Sequence, residues 1–149
     1  MARFNSFEDV IRYAIGREME AYEFYLKLAE AAENVGLHEV MMDFAKEELR
    51  HKAKLEMEIL KMGKTVPGAV AEMDFEYADH LEHYEPQNPR YQDLLQRAIA
   101  KEKDSFRFYV TAAGKVEDEE VREALLSLAE EEARHKVSLE IEYDVIMKK

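Results

Sequence analysis

Two Glu-x-x-His pairs stand 84 residues apart, Glu48/His51 and Glu132/His135, and each follows a lone glutamate, Glu18 or Glu102, by the same 30 residues. A spacing kept to the residue requires both halves of the chain to fold alike. Positions i and i+3 share one side of a helix and can grip one ion together. The repeat reaches beyond these six residues. At the same offset Ala14-Ile15-x-x-Glu18 matches Ala98-Ile99-x-x-Glu102, and Phe24-Tyr25 matches Phe108-Tyr109. Glu47-Glu48-x-Arg50-His51-Lys52 likewise matches Glu131-Glu132-x-Arg134-His135-Lys136. Over residues 14 to 58, 17 of 45 positions are identical to their counterparts. Two such halves pack about a pseudo-two-fold axis, which sets equivalent side chains face to face.

Apolar residues recur at steps of three and four, the signature of helices with one buried stripe. Phe7, Val10, Ile11, Ala14, Ile15, Ala21, Tyr25 and Leu28 form the first stripe, opened by Ser6 with Asp9 three residues on. Asn34-Val35-Gly36 reads as a stop and tight connection, and Gly63 as the end of a second helix carrying Met41, Phe44, Ala45, Lys52, Leu55 and Ile59. Leu94, Leu95, Ala98, Ile99, Ser105, Phe106 and Tyr109 line the third; Ala124, Leu125, Leu128, Ala129, Leu139 and Ile146 line the fourth. The expected helices span about 7–33, 37–62, 90–115 and 119–147, with a crossover over about 64–89 between Pro67-Gly68 and Pro86/Pro89. At 149 residues this is one domain. It is an all-α four-helix bundle of two helical hairpins, in which the long link lets the second and third helices lie parallel.

Composition removes several function classes. With 33 acidic against 21 basic residues the net charge is −12, and such a polyanion repels nucleic acid and acidic membranes. The chain has no cysteine, which excludes disulfides, zinc knuckles and iron–sulfur ligation. Met1 to Phe7 lacks the basic stretch and apolar run of a signal peptide, and no segment has 18 uninterrupted apolar residues. A soluble cytoplasmic protein is the expectation.

The candidate site follows from where the glutamates fall. Glu18 has Ala14, Ile15, Ala21, Tyr22 and Tyr25 on its face, and Glu102 has Ala98, Ile99, Ser105, Phe106 and Tyr109. Glu48 sits among Phe44, Ala45 and Leu55, and Glu132 among Leu128, Ala129 and Leu139. A buried unpaired carboxylate costs several kcal/mol, so these groups either protonate or are neutralised by a cation. Two divalent ions balance four carboxylates and leave both imidazoles neutral, and a donor set this rich in oxygen suits iron or manganese better than structural zinc. The competing reading is a repeat-born bundle whose site has become a polar core network. Glu20, Glu23, Glu47 and Glu131 read as solvated charges or groups behind the ligands. Tyr25 and Tyr109, two turns beyond Glu18 and Glu102, either hydrogen-bond a metal-bound carboxylate, act as redox-active phenols, or simply pack. Arg50 and Arg134 read as salt-bridging groups. His80 and His83, with Glu76 and Asp79, share one side of a short connector helix, where a polar face is a better reading than a second metal site.

Glu18-x-x-Ala21-x-x-Phe24-Tyr25, followed by Glu48-x-x-His51 and both repeated, resembles the ferritin-like di-iron carboxylate superfamily. Residues 20 to 30, Glu-Ala-Tyr-Glu-Phe-Tyr-Leu-Lys-Leu-Ala-Glu, are similar to its rubrerythrin branch. The resemblance implies one dinuclear centre, two iron ions (or manganese, or one of each) held by Glu18, Glu48, His51, Glu102, Glu132 and His135, with Glu48 and Glu132 bridging. It also implies reduction of hydrogen peroxide or O₂, as a peroxidase or ferroxidase, fed by an external electron-donor protein. Two departures weaken the peroxidase assignment but not the centre. The cysteine-held rubredoxin-like module of rubrerythrin proper is missing, and Ser105 stands where that family carries an extra carboxylate. The alternatives are an iron-storage subunit, although no clear fifth helix follows Met147, hydroxylation of an organic substrate, and a metal-free scaffold. A homodimer is the expected assembly.

Overall fold

The structure, a computed structural model, describes residues 6–61 and 90–148. The expected crossover, with Glu76, Asp79, His80 and His83, and the expected helix end at Met62 and Gly63 lie outside the described residues. Four helices account for nearly all of the rest: α1 (Phe7–Ala31), α2 (Val35–Lys61), α3 (Tyr91–Lys115) and α4 (Glu119–Met147).

Capping sets the helix starts. Ser6 Oγ accepts the Asp9 amide at 3.2 Å, and Asp118 Oδ1 accepts that of Val121 at 3.1 Å, each satisfying a first-turn N–H that has no partner within the helix. Asn34 Oδ1 accepts the Leu37 amide at 2.9 Å, so Val35 and Gly36 form the first turn of α2 instead of the loop expected before Leu37. The open carbonyls at the ends of α1 and α3 are met from matching positions of the repeat. The His38 ring lies 2.9 Å from the Ala29 carbonyl, and Arg122 donates to those of Ala113 and Val116 at 3.2 and 2.6 Å.

α1 pairs most extensively with α2, and α3 with α4, giving two hairpins joined across α1–α3 and α2–α4. The core forms two separate clusters. One joins Ile11 and Ile15 of α1 to Leu55 and Ile59 of α2, Tyr109 of α3 and Leu125 and Leu128 of α4. The other joins Tyr25 and Leu28 to Met41 and Ala45, Leu95 and Leu139. The start of α1 thus lies with the ends of α2 and α3 and the start of α4, so α2 runs parallel to α3, and α1 to α4. This is the ferritin-like four-helix bundle. Phe106, expected inward, is 38% exposed, because Ser105 beside it takes the inward position. Lys52, also expected inward, lies on the flank of α2, 2.9 Å from Glu56.

Candidate metal centre

Between the two apolar clusters lies a polar layer. One level of each helix contributes to it: Glu18 from α1, Glu48 and His51 from α2, Glu102 from α3, Glu132 and His135 from α4, all at most 4% exposed. Their donor atoms form two overlapping groups, Glu18/Glu48/His51/Glu132 and Glu48/Glu102/Glu132/His135, in each of which single ligand atoms lie within 4.8 Å of one another. Glu48 and Glu132 belong to both. His51 Nδ1 lies 2.8 Å from Glu132 Oε1 and 3.4 Å from Glu18 Oε2, and His135 Nδ1 lies 3.2 Å from Glu48 Oε1 and 3.7 Å from Glu102 Oε1. The imidazoles face each other nearly parallel, with centroids 5.9 Å apart.

Each of the six residues leaves one atom without a hydrogen bond of acceptable geometry among the described residues: Glu18 Oε2, Glu48 Oε1, His51 Nδ1, Glu102 Oε2, Glu132 Oε1 and His135 Nδ1. Buried polar atoms are nearly always satisfied, and leaving one unsatisfied costs about 1–3 kcal/mol. Six in one small space, each with a lone pair to offer, form a set that divalent cations would satisfy together.

The other atom of four of these residues is engaged from outside. Tyr25 donates its hydroxyl to Glu102 Oε1, and Tyr109 to Glu18 Oε1, each phenol reaching across to the other hairpin. His51 Nε2 meets Glu131 Oε2 at 2.6 Å, and His135 Nε2 meets Glu47, again across the hairpins. An acceptor behind the imidazole turns its other nitrogen inward, where a bound metal would take it. Glu47 and Glu131, read from sequence as solvated charges or groups behind the ligands, sit behind the imidazoles. Arg50 lies 3.7 Å from Glu47 and Arg134 2.7 Å from Glu130.

Electrostatics divides the four carboxyls. Burial and then the charges of neighbouring glutamates hold Glu48 and Glu132 well above the ordinary carboxylate range. Burial, the largest influence, also pushes Glu18 and Glu102 upward. For Glu18 the contacts with His51 and Glu48, the charge of His51 and the Tyr109 hydroxyl together outweigh it; for Glu102 those with Glu132 and His135, the charge of His135 and the Tyr25 hydroxyl do so, and both end below the ordinary range. His135 is lowered by burial, but Glu102 and Glu48 more than offset this and raise it to about 11. Burial and the adjacent carboxylates push both Tyr25 and Tyr109 well up, so they remain hydrogen-bond donors. Of the cluster, Glu48, Glu132 and His135 therefore hold protons more tightly than their ordinary counterparts.

Two cations escaped the sequence reading. Arg17 and Lys101 are 3% and 8% exposed. Arg17 donates to Ser105 Oγ at 2.9 Å and lies 5.6 Å over the Phe108 ring, while Lys101 Nζ lies 3.5 Å from Glu20. The position expected to hold an extra carboxylate in rubrerythrin proper is thus a hydroxyl bound to a guanidinium. Burial and then Arg17 lower Lys101 below the usual lysine range, partly offset by Glu20, Glu102 and Glu48. The missed signal was the repeat itself, since residues 17 and 101 are both basic and stand 84 apart.

The family model described as Rubrerythrin matches residues 9–143. Among solved structures, a hypothetical protein from Pyrococcus furiosus is 27% identical, with a TM-score of 0.77, over 97% of this chain and 92% of that one. The manganese catalase KatB from Anabaena is 16% identical, with a TM-score of 0.70, over 99% of this chain and 76% of its own. A Dps variant from Listeria innocua is 11% identical, with a TM-score of 0.70, over 100% of this chain and 97% of that one. The last two likenesses speak for the fold alone. No curated protein matches the chain.

Proposed function

This chain belongs to the rubrerythrin family, and from that premise we propose that it is a dinuclear metal protein that reduces peroxide or O₂, with peroxidase or ferroxidase activity. The observation that carries the reading is the convergence of six buried, unsatisfied donor atoms, one from each of Glu18, Glu48, His51, Glu102, Glu132 and His135. Glu48 and Glu132, common to both groups, are the residues to bridge two ions; Glu18 with His51 and Glu102 with His135 complete each side.

Bound iron would supply two electrons together to the oxidant, reducing peroxide to two waters without releasing a one-electron radical. The chain's own groups prepare for this. Tyr25 and Tyr109 hold one oxygen of Glu102 and Glu18 and leave the other facing inward. Glu47 and Glu131 fix the tilt of the imidazoles. Glu48, Glu132 and His135 surrender their protons as cations arrive, so uptake releases acid. The apolar clusters above and below shut bulk water out of the layer. With no cysteine for a second redox centre in these 149 residues, turnover draws on an external electron donor. Iron is the proposed metal; manganese is the second choice, since an oxygen-rich donor set with one imidazole per ion suits both. A homodimer in the cytoplasm is the proposed setting, consistent with the fact that no helix among the described residues is long and apolar enough to cross a membrane.

Anaerobic loading of the chelator-stripped protein with Fe(II) tests the reading, with two ions per chain expected, followed by oxidation on adding peroxide or O₂. Failure to retain stoichiometric iron or manganese would return the site to a polar core network.

A further inference from the structure

The repeat is broken beside one of the two imidazoles. Position 44 is phenylalanine, and its counterpart 84 residues on, position 128, is leucine. The half-buried Phe44 ring stacks on that of His135, with centroids 4.5 Å apart and planes inclined by 26°. Tyr25 closes the group edge-on, 5.4 Å from Phe44 and 6.2 Å from His135, while its hydroxyl holds Glu102. One aromatic cluster thereby grips both residues that complete the Glu102/His135 side of the centre.

The Glu18/His51 side has no such cluster. Among the described residues, the His51 ring meets one other ring, that of His135 at 5.9 Å. Tyr109 holds Glu18 as Tyr25 holds Glu102, but its ring packs on Phe108, 5.5 Å away, and not on the imidazole. In other respects the imidazoles are alike: both are at most 4% exposed, and both are backed by a glutamate of the opposite hairpin. Burial and backing do not tell the two sides apart; the stacked ring does. Aromatic pairs prefer a defined geometry, which a leucine does not impose on a neighbouring ring. A ligand already held in its binding orientation loses less freedom when an ion arrives, and binds it more tightly.

Resting on the dinuclear reading above, we propose that Phe44 is a positioning residue that makes the two metal positions unequal. It holds the His135 imidazole ready, so the Glu102/His135 side takes its ion first and the Glu18/His51 side takes the second. Phe44 touches neither ion nor oxidant in this role; it acts through the imidazole.

The test is a stepwise titration of the chelator-stripped full chain with Zn(II), in competition with a chelator, with isotope-labelled imidazoles followed by NMR. At one equivalent the His135 ring resonances are expected to shift while those of His51 stay at their metal-free positions. Phe44→Leu gives this side the residue its counterpart already has. It should weaken the first step about three- to tenfold, leave the second unchanged, and make both imidazoles respond together. Phe44→Tyr keeps the ring and should keep the order. If Phe44→Leu does not fold, Phe44→Met takes its place. A role confined to packing would weaken both steps alike and leave His135 first, and that result would overturn the proposal. So would a parental chain whose imidazoles shift in proportion or with His51 leading, or a Phe44→Tyr chain that loses the order as far as Phe44→Leu. A parental chain that takes up no Zn(II) overturns the dinuclear reading itself; two ions taken up without order overturn this inference alone.

Discussion

The centre has two unlike faces. On the α1–α3 face it is closed by the phenols of Tyr25 and Tyr109 and by the buried Arg17 and Lys101. On the α2–α4 face it is backed by Glu47 and Glu131, whose side chains are 37% and 34% exposed, with Lys54 3.5 Å from Glu131. Because the pseudo-two-fold axis passes through both faces, the phenols and buried cations come in pairs on one and the backing glutamates in a pair on the other. Symmetry here equates the two hairpins while leaving one dry, cationic wall and one wet, anionic wall.

The largest effect should come from the residues both groups share. Glu132→Ala, like Glu48→Ala, is expected to abolish paired metal binding and oxidant-driven iron oxidation, read by metal stoichiometry. Retention of two ions per chain would remove these glutamates from the bridging role. A smaller loss is expected on the wet face. Glu47→Ala and Glu131→Ala should weaken metal binding by about 10–100-fold, the usual cost of removing an imidazole's orienting partner. On the dry face, Tyr25→Phe and Tyr109→Phe strip a donor from a buried carboxylate and should destabilise the metal-free chain by about 1–3 kcal/mol in denaturant unfolding. If the tyrosine variants weaken metal binding more than the glutamate variants do, the contrast between the faces is misdrawn.

The subtlest prediction concerns pH. Glu48, Glu132 and His135 have raised values in the folded chain, so their contributions are fully present below the ordinary 4.5 and 6.5 and are lost as pH rises through the folded values, about 11 for His135. Glu18 and Glu102, lowered, contribute above 4.5 and lose that contribution only as pH falls through their folded values. The metal-free protein should therefore melt at progressively lower temperature from pH 6 upward, whereas metal in place of the protons flattens the dependence. A melting temperature that climbs over this range without metal would contradict the proton assignment.

Much of the layer was legible from the chain alone. Helical periodicity put Glu18, Glu48, Glu102 and Glu132 inside apolar stripes, and the structure brings all four together with His51 and His135. The start of α2 was misplaced by two residues because the Asn34 side chain, not a loop, receives the Leu37 amide. Ser105 and Phe106 are both expected inward; only Ser105 is, because Arg17 gives its hydroxyl a buried partner, and Phe106 is left 38% exposed. Arg17 and Lys101 stand one step off the inward position, where a charge is normally solvated, yet both are buried.

What the sequence by itself determined is whatever depends on spacing along one helix: the stripes, the Glu-x-x-His pairs and the equivalence of the halves, since an i to i+3 relation holds wherever a helix lies. Only the tertiary structure decided which residues meet across the hairpins. Tyr25 reaches Glu102 and not Glu18, which shares its helix face, and Glu47 backs His135 and not His51. Those pairings depend on antiparallel packing of α1 against α3 and of α2 against α4. They join residues 77 and 88 positions apart, a distance over which periodicity carries no information.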